Sequence, residues 1–454
     1  MSDSKSSVAK VGLVTAIAIV VANMVGTGVF GSLGFQVAGI PSGFPIMVLW
    51  LVGGIVSFCG AVCYAELASI FPKSGGEYHL LSRTYNPLIG FIAGWISVSV
   101  GFAAPVAANA TLLGTYLGDI TGMEETVALF GKEIPVHVFY FSVPTVILLT
   151  AIHLLKVKFI GIFQSVFTYA KVVLIIVLGL LGFFIGTSQE ISFLPKEGDG
   201  ELIRSQSFAI SLVFVLYAYT GWNAATYMMD EVRNPEKTVP MALLIGTGIV
   251  TVLYMFVNAA FLYSTPIEDM AGKPQVGLIS AKAILGDKGG MIMGILISFG
   301  LISTISSMTW AGPRVTAAIG RDHSLLQVLT KENRNGVPAL AILIQGVIVI
   351  LLVCTATFEQ LINYVQALLT ISSMMVVIGL IYLRIRHPEL QRPYRAWGYP
   401  VTPILFALVS GYVLWFQIQG KTTEFLYGLG TLLLGLLLYF GIVAAEKSRS
   451  ESKT

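Results

Sequence analysis

The stretch that decides the fold is Val20-Val21-Ala22-Asn23-Met24-Val25-Gly26-Thr27-Gly28-Val29-Phe30-Gly31. It lies inside an apolar run long enough to cross a bilayer, yet its glycines fall where a helix would need regular backbone bonds. Glycine lets a helix unwind, and the freed N–H and C=O groups are costly in hydrocarbon unless something satisfies them. A second stretch, Tyr217-Ala218-Tyr219-Thr220-Gly221-Trp222-Asn223, interrupts another apolar run in the same way. Two interrupted helices at corresponding places in two halves of a chain point to a binding site near the membrane midplane.

The rest of the chain puts these stretches in lipid. With 55% hydrophobic and 11% charged residues and a mean hydropathy of +0.82, the 454 residues are too apolar for a soluble domain. One crossing takes roughly 20 apolar residues. Runs bounded by Pro, Gly and charge clusters predict twelve, at 12–34, 44–71, 87–117, 135–154, 159–186, 206–229, 239–264, 290–320, 338–356, 360–386, 401–419 and 423–444. The runs are continuous and not alternating, which argues against a β-barrel and for an all-α membrane protein. The run after Lys5 and Lys10 is long and lacks a small-residue cleavage site, so it reads as a retained first helix and not a signal peptide.

Orientation follows from the basic residues. Most of the 27 Lys and Arg, among them Lys73, Arg83, Lys156, Lys158, Arg321, Lys331, Arg384 and Arg392, fall on one side of the predicted crossings. The positive-inside rule makes that side cytoplasmic and puts both termini there, in a multi-pass protein of the cell membrane. The interruptions lie in the first and sixth crossings. A repeat of crossings 1–5 (12–186) by crossings 6–10 (206–386) would therefore run in opposite orientations, with two more crossings at 401–444 and tails at 1–11 and 445–454. The longest hydrophilic stretches, near 187–205, 265–289 and 321–337, are too short for a soluble domain, so function lies within the membrane part.

Several classes are excluded. A net charge of +3 gives nucleic-acid binding no electrostatic basis. Cys59, Cys63 and Cys354 sit in apolar helices and imply neither a disulfide framework nor a zinc site. His79, His137, His153, His323 and His387 form no metal or catalytic constellation, and neither an enzyme nor a cofactor is expected. Gly26-Thr-Gly28-Val-Phe-Gly31 matches the dinucleotide-binding pattern G-x-G-x-x-G. That motif needs a preceding strand and an acid about 20 positions on, and here the next acid is Glu66 in another apolar run.

A zwitterion suits the interruptions. N–H groups at the start of a resumed half-helix favour a carboxylate, and carbonyls ending the preceding half favour an ammonium. The plainer reading, that the glycines only allow close helix packing, loses ground when two helices show the pattern in register. Lys171, deep in the fifth crossing with no acid in the same helix, is a further functional candidate, because burial disfavours an ammonium unless carbonyls or hydroxyls hold its charge. On the eighth crossing Ser303, Ser306 and Ser307 share a face by i, i+3, i+4 spacing and could line the same locus, or bond back to their own helix. Glu66, Asp230 and Glu231 are expected to fix loops. With Lys171 the only ionised residue expected at midplane depth, neutral substrates are favoured. On this reading a bulky residue at Gly28 would abolish binding and spare the fold.

These residues resemble a known family. Gly26-Thr27-Gly28-Val29-Phe30, Tyr64-Ala-Glu66-Leu with Phe71-Pro72-Lys-Ser-Gly75-Gly76-Glu77-Tyr78, Ala218-Tyr219-Thr-Gly221-Trp222-Asn223 leading to Asp230-Glu231-Val-Arg233-Asn234-Pro235, Gly312-Pro313-Arg314, and Arg392-Pro393-Tyr394-Arg395 are similar to motifs of the amino acid, polyamine and organocation superfamily. The similarity is closest to its amino acid permeases and L-type transporters. The resemblance implies a five-plus-five inverted-repeat (LeuT-like) fold with two additional helices and alternating access around a central amino acid site. It places the substrate carboxylate on the N–H groups of Thr27, Gly28 and Val29, beside Gly26. The amino group meets carbonyls of Met24, Val25, Tyr217, Ala218 and Thr220, with Asn223 close by and Tyr217 in the position of an aromatic gate. It also implies that the Lys171 ammonium stands where sodium-dependent relatives hold an ion, which makes protons the candidate coupling ion. Polyamine cargo on the same fold, or an amino acid receptor without transport, are the competing readings.

Overall fold

The computed structural model describes residues 11–129, 132–155 and 160–451. Lys5, Lys10, Lys156, Lys158, residues 1–10 of the first expected tail and residues 452–454 of the second lie outside the described residues, and 445–451, expected as tail, continue the last helix. The first apolar run forms three helical pieces, α1 (Leu13–Met24), α2 (Thr27–Gly31) and α3 (Leu33–Gly39). There follow α4 (Gly43–Ile70), a short helix α5 (Gly76–Thr84), and α6 (Pro87–Ile96), which continues through a π-turn at Ser97–Gly101 into α7 (Ala103–Thr121). An antiparallel hairpin, β1 (Thr126–Leu129) and β2 (Lys132–Pro135), leads through a second π-turn at Val138–Ser142 to α8 (Val143–His153) and then α9 (Ile160–Phe184). After α10 (Asp199–Arg204) come α11 (Gln206–Tyr219), a 3-10 segment at Ala224–Glu231, α12 (Pro235–Ser264), α13 (Ile267–Met270) and α14 (Val276–Asp322). A 3-10 segment at Ser324–Thr330, α15 (Ala339–Thr355), α16 (Phe358–Arg386), α17 (Val401–Gly420) and α18 (Thr422–Glu451) complete the chain.

Among the described residues ten helical spans are long and apolar enough to cross a membrane, and Val138–His153 and Ala339–Thr355 are shorter apolar helices. Most of their bounds agree with the expected crossings to within a few residues; the exceptions are the helical extension of the first run to Gly39, α14, which starts at Val276 where 290 was expected, and α18, which runs on to Glu451 where 444 was expected. The hydrophilic stretches are more structured than expected. The 265–289 stretch holds α13 and the first turns of α14, which bends at Gly286 (φ 70°). The π-turns have a local cause: Pro105 and Pro144 lack the N–H that would bond the carbonyl four residues earlier, so the helix loosens just before each.

Both interruptions are present. Helix α1 stops at Met24, Val25 (φ −78°, ψ 96°) and Gly26 (φ −148°, ψ −139°) are non-helical, and helix resumes at Thr27. Helix α11 stops at Tyr219, where Thr220 is extended and Gly221 takes φ 99°, a conformation that favours glycine. Around them α12 packs against α1 and α4, and α14 against α7 and α9. Trp50, Tyr219 and Tyr254 form a buried cluster with ring centroids 5.2 to 6.0 Å apart.

At one end of the bundle Glu66, fully buried, gathers the segment after α16. Arg384 meets both of its oxygens, Arg392 lies 3.2 Å from Oε1, and the Ala396 N–H donates to Oε2 at 2.7 Å. Glu66 fixes a loop, as its sequence position implied. Replacing Glu66 by Gln would leave two arginines without their counter-charge, at a cost on the order of 3 kcal/mol. The expected result is a clear drop in the melting temperature of the detergent-purified protein, with no change for Arg386→Gln on the exposed side of the same helix end.

Candidate substrate site

Ending α1 in mid-bundle leaves its last carbonyls without helical partners, and neighbouring helices supply donors. From α9, Lys171 Nζ donates to Ala22 O at 3.3 Å, Val25 O at 3.1 Å and Thr304 Oγ1 at 3.0 Å, while the Thr304 hydroxyl lies 3.2 Å from Val25 O. From α12, the Tyr254 hydroxyl lies 2.6 Å from Met24 O and 3.1 Å from Ala218 O. One phenol thus touches the carbonyls of both interruptions. Across the first break, the leading N–H groups of α2 belong to Thr27, Gly28 and Val29, and Gly26 provides no side-chain cap. Ser32 keeps helical angles, so α2 runs on into α3.

The two interrupted helices are also in close contact. A Cβ built on Gly28 would sit 2.2 Å from Ala218 Cα, and one on Gly221 would sit 2.8 Å from the Asn23 carbonyl carbon. Gly28 is therefore a packing residue, whatever its N–H binds. The expectation that a bulky residue there would spare the fold is corrected: it would push α2 and α11 apart. The hydroxyls of Tyr217 and Thr27 approach to 3.3 Å, and both side chains are buried.

A cavity of about 550 Å³ runs up to the breaks from one end of the bundle. Asn23, Thr220 and Gly221 lie at its depth, Pro105 and Met308 along its walls, and Val11, Glu231, Arg314 and Asn335 towards its mouth. Glu231 pairs with Arg314 at 3.2 Å, and Val11 forms a parallel bridge to Val232, so these groups fasten the mouth as Glu231 was expected to do for a loop. Of the residues singled out from sequence, Thr220, Asn223 and Ser307 line this cavity, whereas Met24, Val25, Gly26, Thr27, Gly28, Val29, Tyr217, Ala218, Lys171, Ser303 and Ser306 are buried beyond it. The carbonyls assigned to an amino group are already engaged in part: Val25 O as above, Met24 and Ala218 O by the shared phenol, and Tyr217 O by the Thr220 hydroxyl at 2.6 Å.

Other side chains fall where the sequence gave no expectation. Thr304 is an α14 hydroxyl that reaches Lys171, and Ser306 meets His153 Nε2 at 2.9 Å. The signal was present in Gly300, one turn before Thr304, since a Cβ there would sit 3.1 Å from Lys171 Cγ. Glu77 is an acid beside the second break whose place the sequence did not reveal. It lines the cavity, and its carboxylate accepts from the Tyr64 hydroxyl at 3.0 Å and from Asn223 Nδ2 and the Tyr227 hydroxyl. It went unseen because hydropathy places α5 outside the apolar runs. On the same short helix, burial together with Arg83 and Lys73 pushes the His79 imidazole down to about 4, so it stays neutral at physiological pH.

Comparison with known proteins gives the family of the chain. Residues 11–438 match the sequence model of a family described as amino acid permease. The chain is 28% identical over 446 residues to the b(0,+)-type amino acid transporter 1 of Mus musculus, covering 95% of this chain and 87% of the relative. It is 26% identical over 435 residues to the large neutral amino acids transporter small subunit 2 of Homo sapiens, covering 95% and 80%.

Tyr254→Phe tests the shared phenol, since it keeps the ring against Trp50 and Tyr219 and removes only the hydroxyl. A lower melting temperature of the detergent-purified protein is expected, since two buried carbonyls lose their shared donor at a cost on the order of 1–3 kcal/mol. Gly28→Ala is expected to give little monodisperse protein on size exclusion, because the clash is with backbone.

Proposed function

Because this chain belongs to the amino acid permease family over residues 11–438, we propose that it is a secondary transporter of neutral amino acids that works by alternating access. The observation that carries the proposal is the pair of interrupted helices, held by one phenol and facing a cavity. In this reading the ten long spans and the two shorter apolar helices make twelve crossings. Residues 12–186 and 206–386 form inverted repeats, 401–444 adds two crossings, and both termini face the cytoplasm of a cell membrane.

The substrate carboxylate sits on the N–H groups of Thr27, Gly28 and Val29. The ammonium sits at Met24 O and Ala218 O, which share one donor and keep free lone pairs, with Thr220 and Asn223 on the cavity side. Glu77 does not turn the site towards cations, because Tyr64, Tyr227 and Asn223 already donate to it. The relative named for large neutral amino acids supports the same class. Tyr217 over Thr27 closes the route on one side while the cavity stays open on the other, which is the asymmetry alternating access requires.

Lys171 holds Ala22 and Val25 carbonyls as a bound cation would, and its proton is the coupling charge in this reading. Uptake of radiolabelled alanine into proteoliposomes is expected with an imposed pH gradient and without sodium. Strong dependence on sodium would contradict the coupling, and binding without uptake in any gradient would contradict transport. Lys171→Met is expected to cut uptake by more than tenfold, since it leaves buried carbonyls unpaired.

A further inference from the structure

Asn109 on α7 is 1% exposed, and its Oδ1 has no hydrogen-bond partner among the described residues. Its orientation is unambiguous. Nδ2 donates to the Pro105 carbonyl at 2.7 Å, and since a carbonyl can only accept, the oxygen must face the other way. That way lies the first break: a Cβ built on Gly26 would sit 3.3 Å from Asn109 Oδ1 and 3.1 Å from Thr304 Cγ2. Pro105, one turn along α7, already lines the cavity. A buried acceptor without a donor carries its full desolvation cost, which a ligand that donates to it would remove.

The direction of that ligand follows if the breaks hold an amino acid, the reading on which this inference rests. With the two charged groups held by the broken helices, the α-carbon substituent is left to point at α7 and α14, the walls that carry Asn109 and Thr304. The carboxylate is repelled by Oδ1, and the ammonium has Met24 O and Ala218 O. We infer that Asn109 Oδ1 accepts a hydrogen bond from the substrate side chain, so that the site selects small amino acids bearing a hydroxyl. The two side chains crowding Gly26 keep the space small, which disfavours branched and aromatic substrates.

Serine and its near-isostere 2-aminobutyrate, which has a methyl in place of the hydroxyl, separate hydrogen bonding from size. Competition against radiolabelled alanine on the detergent-purified protein is expected to show serine binding about tenfold tighter than 2-aminobutyrate. Asn109→Leu, similar in size and without the acceptor, is expected to erase that preference, so that serine and 2-aminobutyrate compete equally. Equal affinity of serine and 2-aminobutyrate for the unaltered protein overturns the inference while leaving the amino acid site intact. Loss of alanine and serine alike in folded Asn109→Leu also overturns it, because the oxygen would then serve the ammonium. Binding of no amino acid at all would overturn the site itself. Should Asn109→Leu fail to fold, the comparison on the unaltered protein decides alone.

Discussion

An unpaired peptide group in the middle of a bilayer has no water to turn to, and the two interrupted helices present several such groups. The fold depends on how they are paired. Tyr254 offers one hydroxyl to Met24 O and Ala218 O, and Lys171 offers one ammonium to Ala22 O and Val25 O. Both come from helices that are themselves continuous there, so the unwound segments are pinned to regular structure on α9 and α12.

Sharing donors has a mechanical consequence. The half-helices touch in two pairs, α2 with α11 through Gly28 and Ala218, and α1 with the turn after α11 through Asn23 and Gly221. Within each pair the approach is backbone to backbone, so neither partner can shift without the other. Tyr254 lies between the pairs and touches one carbonyl from each helix. Movement of one pair against the other therefore strains that phenol's bonds first, and a molecule seated at the breaks would feel the same displacement.

The two buried acids have separate roles. Glu66 is saturated by two arginines and a backbone N–H at the end of the bundle, a structural knot. Glu77 sits in the cavity wall with neutral donors, two tyrosines and an asparagine, and ties α5 to the segment beyond the second break. A carboxylate surrounded by arginines and one surrounded by hydroxyls and an amide differ in what they can release, since only the second can give up a partner without leaving a buried charge uncompensated.

Sequence alone determined the solvent, the places of the crossings and the two breaks, because lipid imposes a length on apolar runs and glycine clusters stand out against them. It also marked Lys171, since a lysine among apolar residues needs a reason. Tertiary structure decided which groups meet. Helical spacing aligns Ser303, Ser306 and Ser307, but a face has no meaning until its neighbour is fixed, and the packing of α14 on α9 turned Thr304 to the lysine. Tyr254, Glu77 and Asn109 carry no local signal: a tyrosine in an apolar run and an acid in a short polar helix are ordinary until a partner 30 or more residues away is brought within about 3 Å, the reach of a hydrogen bond, and an asparagine among alanines is ordinary until packing buries its oxygen without a donor.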